Sequence, residues 1–207
     1  MIILNYNFFK IRQNFFFFLI PACIFFSSLS ASDSPSNVVE NLHTILLHNN
    51  NSSKNKLKKF KNLKQSLENI YDYKRMIKFI YGKKWFSLNI GQKKILQDLF
   101  LEYITLNYSK RFSGIRNLKF QLNDTEKFAP KKIMVKTTLI VNENEPVNIN
   151  YILALNEREE WKVFDVLYLG SISEISTKKS EFSSFLKKDG PEKLIEVMQR
   201  KLNLFFN

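Results

Sequence analysis

KIMVKTTLIVNENEPVNINYILALNEREEWKVFDVLYLG, residues 132–170, decides the fold. Three sets of mostly apolar residues recur at every second position along it. They are Ile133, Val135, Thr137, Leu139 and Val141, then Val147, Ile149, Tyr151, Leu153 and Leu155, then Trp161, Val163, Asp165, Leu167 and Leu169. A period of two puts each set on one face of a strand. Asn142–Glu145 and Asn156–Glu160 are polar turn runs too short for a crossover helix, so successive strands pair antiparallel. Just upstream, Leu118, Phe120 and Leu122 read as a further short strand. The expectation is a four-stranded antiparallel meander. Its alternate positions are not uniformly polar, since Ile140, Ile152, Ala154, Phe164, Val166 and Tyr168 fall there. Such a sheet is covered on both faces, or one face lines an apolar cavity.

Outward from the meander the period becomes helical. Val38, Val39, Leu42, Ile45 and Leu46 share a face, with Ser36 as the expected cap. Leu57, Phe60, Leu63, Leu67 and Ile70 follow at steps of three or four, opposite a face bearing Lys58, Lys59, Lys61 and Lys64. Asp72 caps a short helix with Tyr73, Met76, Ile77 and Ile80 that stops at Gly82. Ser87 or Asn89 opens a longer one with a wide stripe of Ile95, Leu96, Leu99, Phe100, Tyr103 and Ile104. After Gly170, Glu174–Lys188 carries Ile175, Phe182, Phe185 and Leu186. Asp189-Gly190-Pro191 breaks that helix, and Glu192–Leu204 makes the last. The class is α+β: N-terminal helices, a four-stranded antiparallel meander and two C-terminal helices.

The first 32 residues read differently. Phe15–Phe26 is a twelve-residue apolar run preceded by Lys10 and Arg12 and followed by Ser27–Ser32, which are mostly small. The order basic, apolar, small is that of a secretory signal, and the run is short for a membrane span. Residues 1–32 are therefore read as a signal peptide and 33–207 as a single α+β domain in the periplasm. Ile20-Pro21-Ala22-Cys23 loosely resembles a lipoprotein cleavage box, but the proline and the apolar residues after Cys23 argue against it. Cys23 is the only cysteine, so no disulfide or thiol chemistry remains after cleavage. Loss of Lys10 and Arg12 with no acid takes the formal charge from +13 to +11. Export argues against nucleic acid as the partner and for anionic lipid or an acidic protein; a merely solvated lysine-rich surface fits the same composition.

Catalytic signals are sparse. His43 and His48 have no cysteine or carboxylate at metal-ligand spacing and read as structural or solvated. No GxSxG, HExxH, CxxC or phosphate-cradling glycine loop occurs in the mature chain. Asp165 lies on an otherwise apolar strand, either as a base with a raised pKa or as a turn or helix clamp. Asp72 is the other constrained acid. Neither metal nor cofactor is expected, and the chain does not read as an enzyme.

Tyr71-Asp72-Tyr73-Lys74-Arg75-Met76, Gly82-Lys83-Lys84-Trp85, Gln92, Phe100 and Tyr103 resemble the toluene-tolerance family of periplasmic lipid shuttles. Val135–Thr138, Tyr151–Leu153, Trp161–Val166, Ser173–Phe182, Gly190 and Leu194-Ile195 extend that resemblance from Val38 to Leu202. Its best known members are the soluble carriers of the Mla phospholipid-transport system, which usually have glycine-valine-serine after the last strand and an arginine further on. Here those positions are Ser171-Ile172-Ser173 and Lys179, closer to the hopanoid-biosynthesis-associated branch. The resemblance implies a carrier of phospholipid, or of a hopanoid-like lipid. It would work between an inner-membrane ABC transporter complex and an outer-membrane lipoprotein complex, maintaining outer-membrane lipid asymmetry. Residues expected to line the lipid cavity are Met76, Ile80, Leu99, Phe100, Tyr103, Val135, Thr137, Tyr151, Leu153 and Val166. The competing readings are a periplasmic adaptor without lipid cargo and a small enzyme using Asp165 or Asp72 as base.

Overall fold

The computed structural model describes residues 33–51, 55–142, 144–188 and 190–207; the expected signal peptide lies outside them. Four helices come first: α1 (Pro35–Asn51), α2 (Lys56–Ile70), α3 (Tyr73–Tyr81) and α4 (Ile90–Arg111), with a 3-10 segment, Gly82–Ser87, between α3 and α4. A meander follows of β1 (Leu118–Ala129), β2 (Lys132–Val141), β3 (Val147–Leu155), β4 (Trp161–Tyr168) and β5 (Ile172–Ser173), then α5 (Glu174–Lys188) and α6 (Gly190–Phe206). The strands lie in sheet order β1-β2-β3-β4-β5, each pair antiparallel.

Helix boundaries follow local chemistry. Ser34, not Ser36, caps α1: its Oγ accepts from Asn37 N at 3.2 Å, and Pro35 takes the first helical position, where no N–H is needed. Asp72 caps α3 by accepting from Arg75 N at 3.2 Å. Gly82 ends that helix at φ +74 with open space around it, so backbone freedom rather than crowding requires glycine there. Asn89, not Ser87, opens α4 through a capping box: Asn89 Oδ1 accepts from Gln92 N at 2.8 Å, and Gln92 Oε1 accepts from Asn89 N at 3.1 Å.

The sheet departs from the expected four strands. Leu169 and Gly170, at φ +51 and +77, are the central residues of a turn closed by Ser171 N donating to Tyr168 O at 3.2 Å, and β5 returns to pair with Leu167 and Tyr168. Two residues carry no readable period, which hid this strand. β1 runs on past Leu122 to Ala129, where its side chains are mostly exposed and polar. Its register shifts beside Leu122 and Lys127, and its charged side chains blunt this open edge. At the other side of the sheet, Asp72 N donates to Val163 O at 3.0 Å and Tyr71 bridges Val163 in parallel.

A bulge in β4 overturns the simple alternation. Ile152 pairs with Asp165 and Leu153 with Val163, leaving Phe164 as the extra residue. Val163 and Val166 therefore both face the helices with Tyr151 and Leu153, whereas the uninterrupted period puts Val166 opposite Val163. The main core lies between this sheet face and the helices, with Val39, Leu42, Leu67, Ile77, Leu96, Val135, Leu153 and Val163 essentially fully buried. Each such aliphatic side chain contributes about 1.5–3 kcal/mol on burial.

Candidate functional site: an apolar pocket with a charged rim

A pocket opens where α3, α4, β4 and the start of α5 meet. Its empty volume is about 510 Å³, open solvent at the mouth included. Met76 and Ile80 come from successive turns of α3, Phe100 and Ile104 from α4, Val166 from β4 and Ile175 from α5; together they make the apolar wall. The β4 bulge is what turns Val166 into this space. Further along α4, Asn107, Tyr108 and Arg111 continue the same helical face and take the lining from apolar to polar.

The rim is held by defined contacts. Arg111 Nη2 lies 2.6 Å from Glu174 Oε1, joining the end of α4 to the start of α5. Lys178 also lines the pocket and pairs with Glu181 at 2.7 Å. Lys178 and Lys201 stand 5.3 and 5.2 Å from the centre of the Tyr103 ring. Deeper in, the Tyr71 and Tyr108 hydroxyls hydrogen-bond each other. Burial pushes Tyr108 up to about 12 and Tyr71 well above its ordinary value, so both stay neutral phenols at physiological pH.

Asp165 sits beside this pocket as a clamp. Oδ1 accepts from Val166 N at 2.8 Å and Ile175 N at 3.1 Å, and Oδ2 accepts from Ser173 Oγ at 2.6 Å. Ser173 Oγ accepts from Ser176 N at 3.0 Å, so the carboxylate anchors the side chain that caps α5. Burial raises the Asp165 pKa despite the hydrogen bonds that lower it. Asp72 is engaged with Arg75, whose Nε lies 2.8 Å from its Oδ2. Both acids thus have structural partners.

Of the ten residues expected to line a cavity, Met76, Ile80, Phe100, Tyr103 and Val166 line this pocket. Val135, Thr137, Tyr151 and Leu153 lie instead in packed core beneath α1, each at most 2% exposed. Thr137 Oγ1 donates to Ile149 O at 2.5 Å. Leu99 is partly buried against the main core and against a small cluster of Phe60, Leu106 and Leu202. Tyr71, Ile104, Asn107, Tyr108, Arg111, Glu174, Ile175 and Lys178 were not anticipated. The signal for three of them was present, since Ile104, Tyr108 and Arg111 continue from Phe100 at steps of four and three. The apolar criterion stopped at Ile104, where the face becomes polar.

His43 is buried on α1. Its ring stacks on Phe120 at 4.0 Å, and its Nε2 is 3.2 Å from Tyr151 Oη. Burial lowers its pKa from 6.5 to about 4.

An apolar wall, neutral hydroxyls and a rim with Arg111 and Lys178 suit an amphiphile whose tail avoids water and whose head is polar or anionic. The sequence model for the MlaC protein matches residues 36–200, and the chain belongs to the MlaC family. Among solved structures it is similar to a phospholipid-binding protein from Ralstonia solanacearum, determined in complex with a phospholipid. The two are 21% identical with a TM-score of 0.72, over 85% of this chain and 100% of the other, a likeness of fold. No curated protein matches the sequence.

Proposed function

We propose that this protein is a periplasmic lipid carrier that takes acyl chains into the pocket between α3, α4, β4 and α5 and keeps the headgroup at the Arg111–Lys178 rim. The observation that carries the reading is the pocket's graded lining, apolar from Met76 to Ile175 and charged at its mouth, in a chain of the MlaC family. The Ralstonia protein of the same fold, solved with phospholipid, supports the choice of cargo. Each buried methylene is worth about 0.8 kcal/mol, so retention needs hydrophobic contact and no catalytic group. A binding protein is therefore the reading, rather than an enzyme.

In this account residues 1–32 are a cleaved signal and 33–207 one lipid-binding domain. The carrier moves lipid between an inner-membrane ABC transporter complex and an outer-membrane lipoprotein complex, as its soluble substrate-binding component. Ser171-Ile172-Ser173 keeps a hopanoid-like cargo as the second reading. Mass spectrometry of lipid co-purified without detergent tests both: stoichiometric phospholipid supports the first cargo, a polycyclic lipid the second. The intact mass of the exported protein tests the signal assignment.

A further inference from the structure

The first turn of α2 and the last turn of α6 meet in an aromatic cluster that the pocket does not use. The Phe60 ring lies 4.9 Å from Phe206 and 6.0 Å from Phe205, and Phe205 and Phe206 are 5.1 Å apart. Phe60 is buried, but around it Leu57 is 49%, Leu204 73% and Phe206 40% exposed. Lys56 Nζ stands 4.1 Å and Lys110 Nζ 5.9 Å from the centre of the Phe205 ring. Lys58 and Lys61 are exposed on the same α2. Among the described residues, no ion pair joins any of these four lysines to a carboxylate. From Asn55 the first acid along the chain is Glu68, at the far end of α2.

We propose that this end of the molecule is a contact surface for anionic bilayers. The exposed apolar tips, Leu57, Leu204 and Phe206, are a small part of the roughly 20–30 residues a side that a stable protein interface buries. Exposed leucine and phenylalanine ringed by lysines with no acid are what an anionic lipid–water interface accepts. The apolar tips enter the acyl boundary while the ammonium groups reach phosphates. The surface is also well placed for delivery. Lys110 over Phe205 is the neighbour of Arg111 at the pocket rim, so both lie at the same end of α4. That last point rests on the carrier reading; the membrane contact itself does not.

The test uses the purified chain with vesicles of phosphatidylglycerol and phosphatidylcholine, against phosphatidylcholine alone. Phe206→Trp should shift its emission to the blue only with anionic vesicles, while Phe86→Trp, at another exposed aromatic site, should not move. Each lysine near an anionic surface is worth about fivefold in affinity, so Lys58→Gln with Lys61→Gln should weaken sedimentation with vesicles about 25-fold. This pair keeps the proposal testable if Phe206→Trp fails to fold. Equal binding to neutral vesicles, a shift at Phe86→Trp instead, or an unchanged lysine variant would overturn it. So would a chain that ignores vesicles but self-associates or captures polyglutamate through these lysines. Co-purified lipid is measured on the same samples, so failure here and failure of the carrier reading are read separately.

Discussion

His43→Gln is the most exacting single perturbation of the core. In the folded chain His43 takes a proton only below about pH 4, against 6.5 when solvated, because its ring is buried between Phe120 and Tyr151. Between those values the unfolded chain binds more protons than the folded one, so stability falls as pH drops through the window. It is fully present above 6.5 and lost by pH 4. The whole effect is worth about 3 kcal/mol, of which about 2 kcal/mol is already lost at pH 5. Glutamine keeps a polar partner for the Tyr151 hydroxyl and removes the titration. Urea unfolding at pH 8 and pH 5 gives the wild-type and variant stabilities. The variant should be less stable at pH 8 through the lost stacking, and its deficit should shrink or reverse by about 2 kcal/mol at pH 5. A difference between the two proteins that does not change with pH would refute the assignment of His43 as buried and neutral.

Three further expectations concern the pocket and its clamp. Asp165→Ala removes acceptors for Val166 N, Ile175 N and Ser173 Oγ and should cost about 2–4 kcal/mol in chemical denaturation, with Asp165→Asn costing distinctly less. Val166→Phe places a ring in the pocket and should abolish co-purified lipid while the far-UV spectrum stays native, at a cost of about 1–3 kcal/mol. Leu153→Ala, in solid core, should do the reverse: it destabilises by about 2–5 kcal/mol but leaves lipid per folded molecule unchanged. Lipid loss in Leu153→Ala comparable to that in Val166→Phe would mean that the cargo reaches beneath α1.

Much of the fold was legible because its signals are periodic. The central strands follow from the alternation between Ile133 and Leu169, and α3 from Asp72 to Gly82 follows from a capping acid and a stop glycine. What escaped is aperiodic. Strand β5 is two residues long, and the outer half of β1 is held by pairing with β2 rather than by a buried face. The bulge at Phe164 depends on tertiary fit: it turns Val166 to the pocket and frees Asp165 to hold α5, and nothing in Trp161–Tyr168 announces it. The site was half legible for a related reason. Helical apolar spacing marks Met76, Ile80, Phe100 and Tyr103, and Val166 reaches the same pocket only through the β4 bulge, but the polar part of the lining has no such period. Tyr108, Arg111, Glu174 and Lys178 are brought there by the meeting of α4 and α5.

The carrier account stands or falls on cargo. The direct measurement is mass spectrometry of lipid extracted from the exported protein purified without detergent, paired with uptake from liposomes. The account predicts about one lipid per protein, lost in Val166→Phe. A folded, monodisperse protein that carries no lipid and acquires none from liposomes would contradict it.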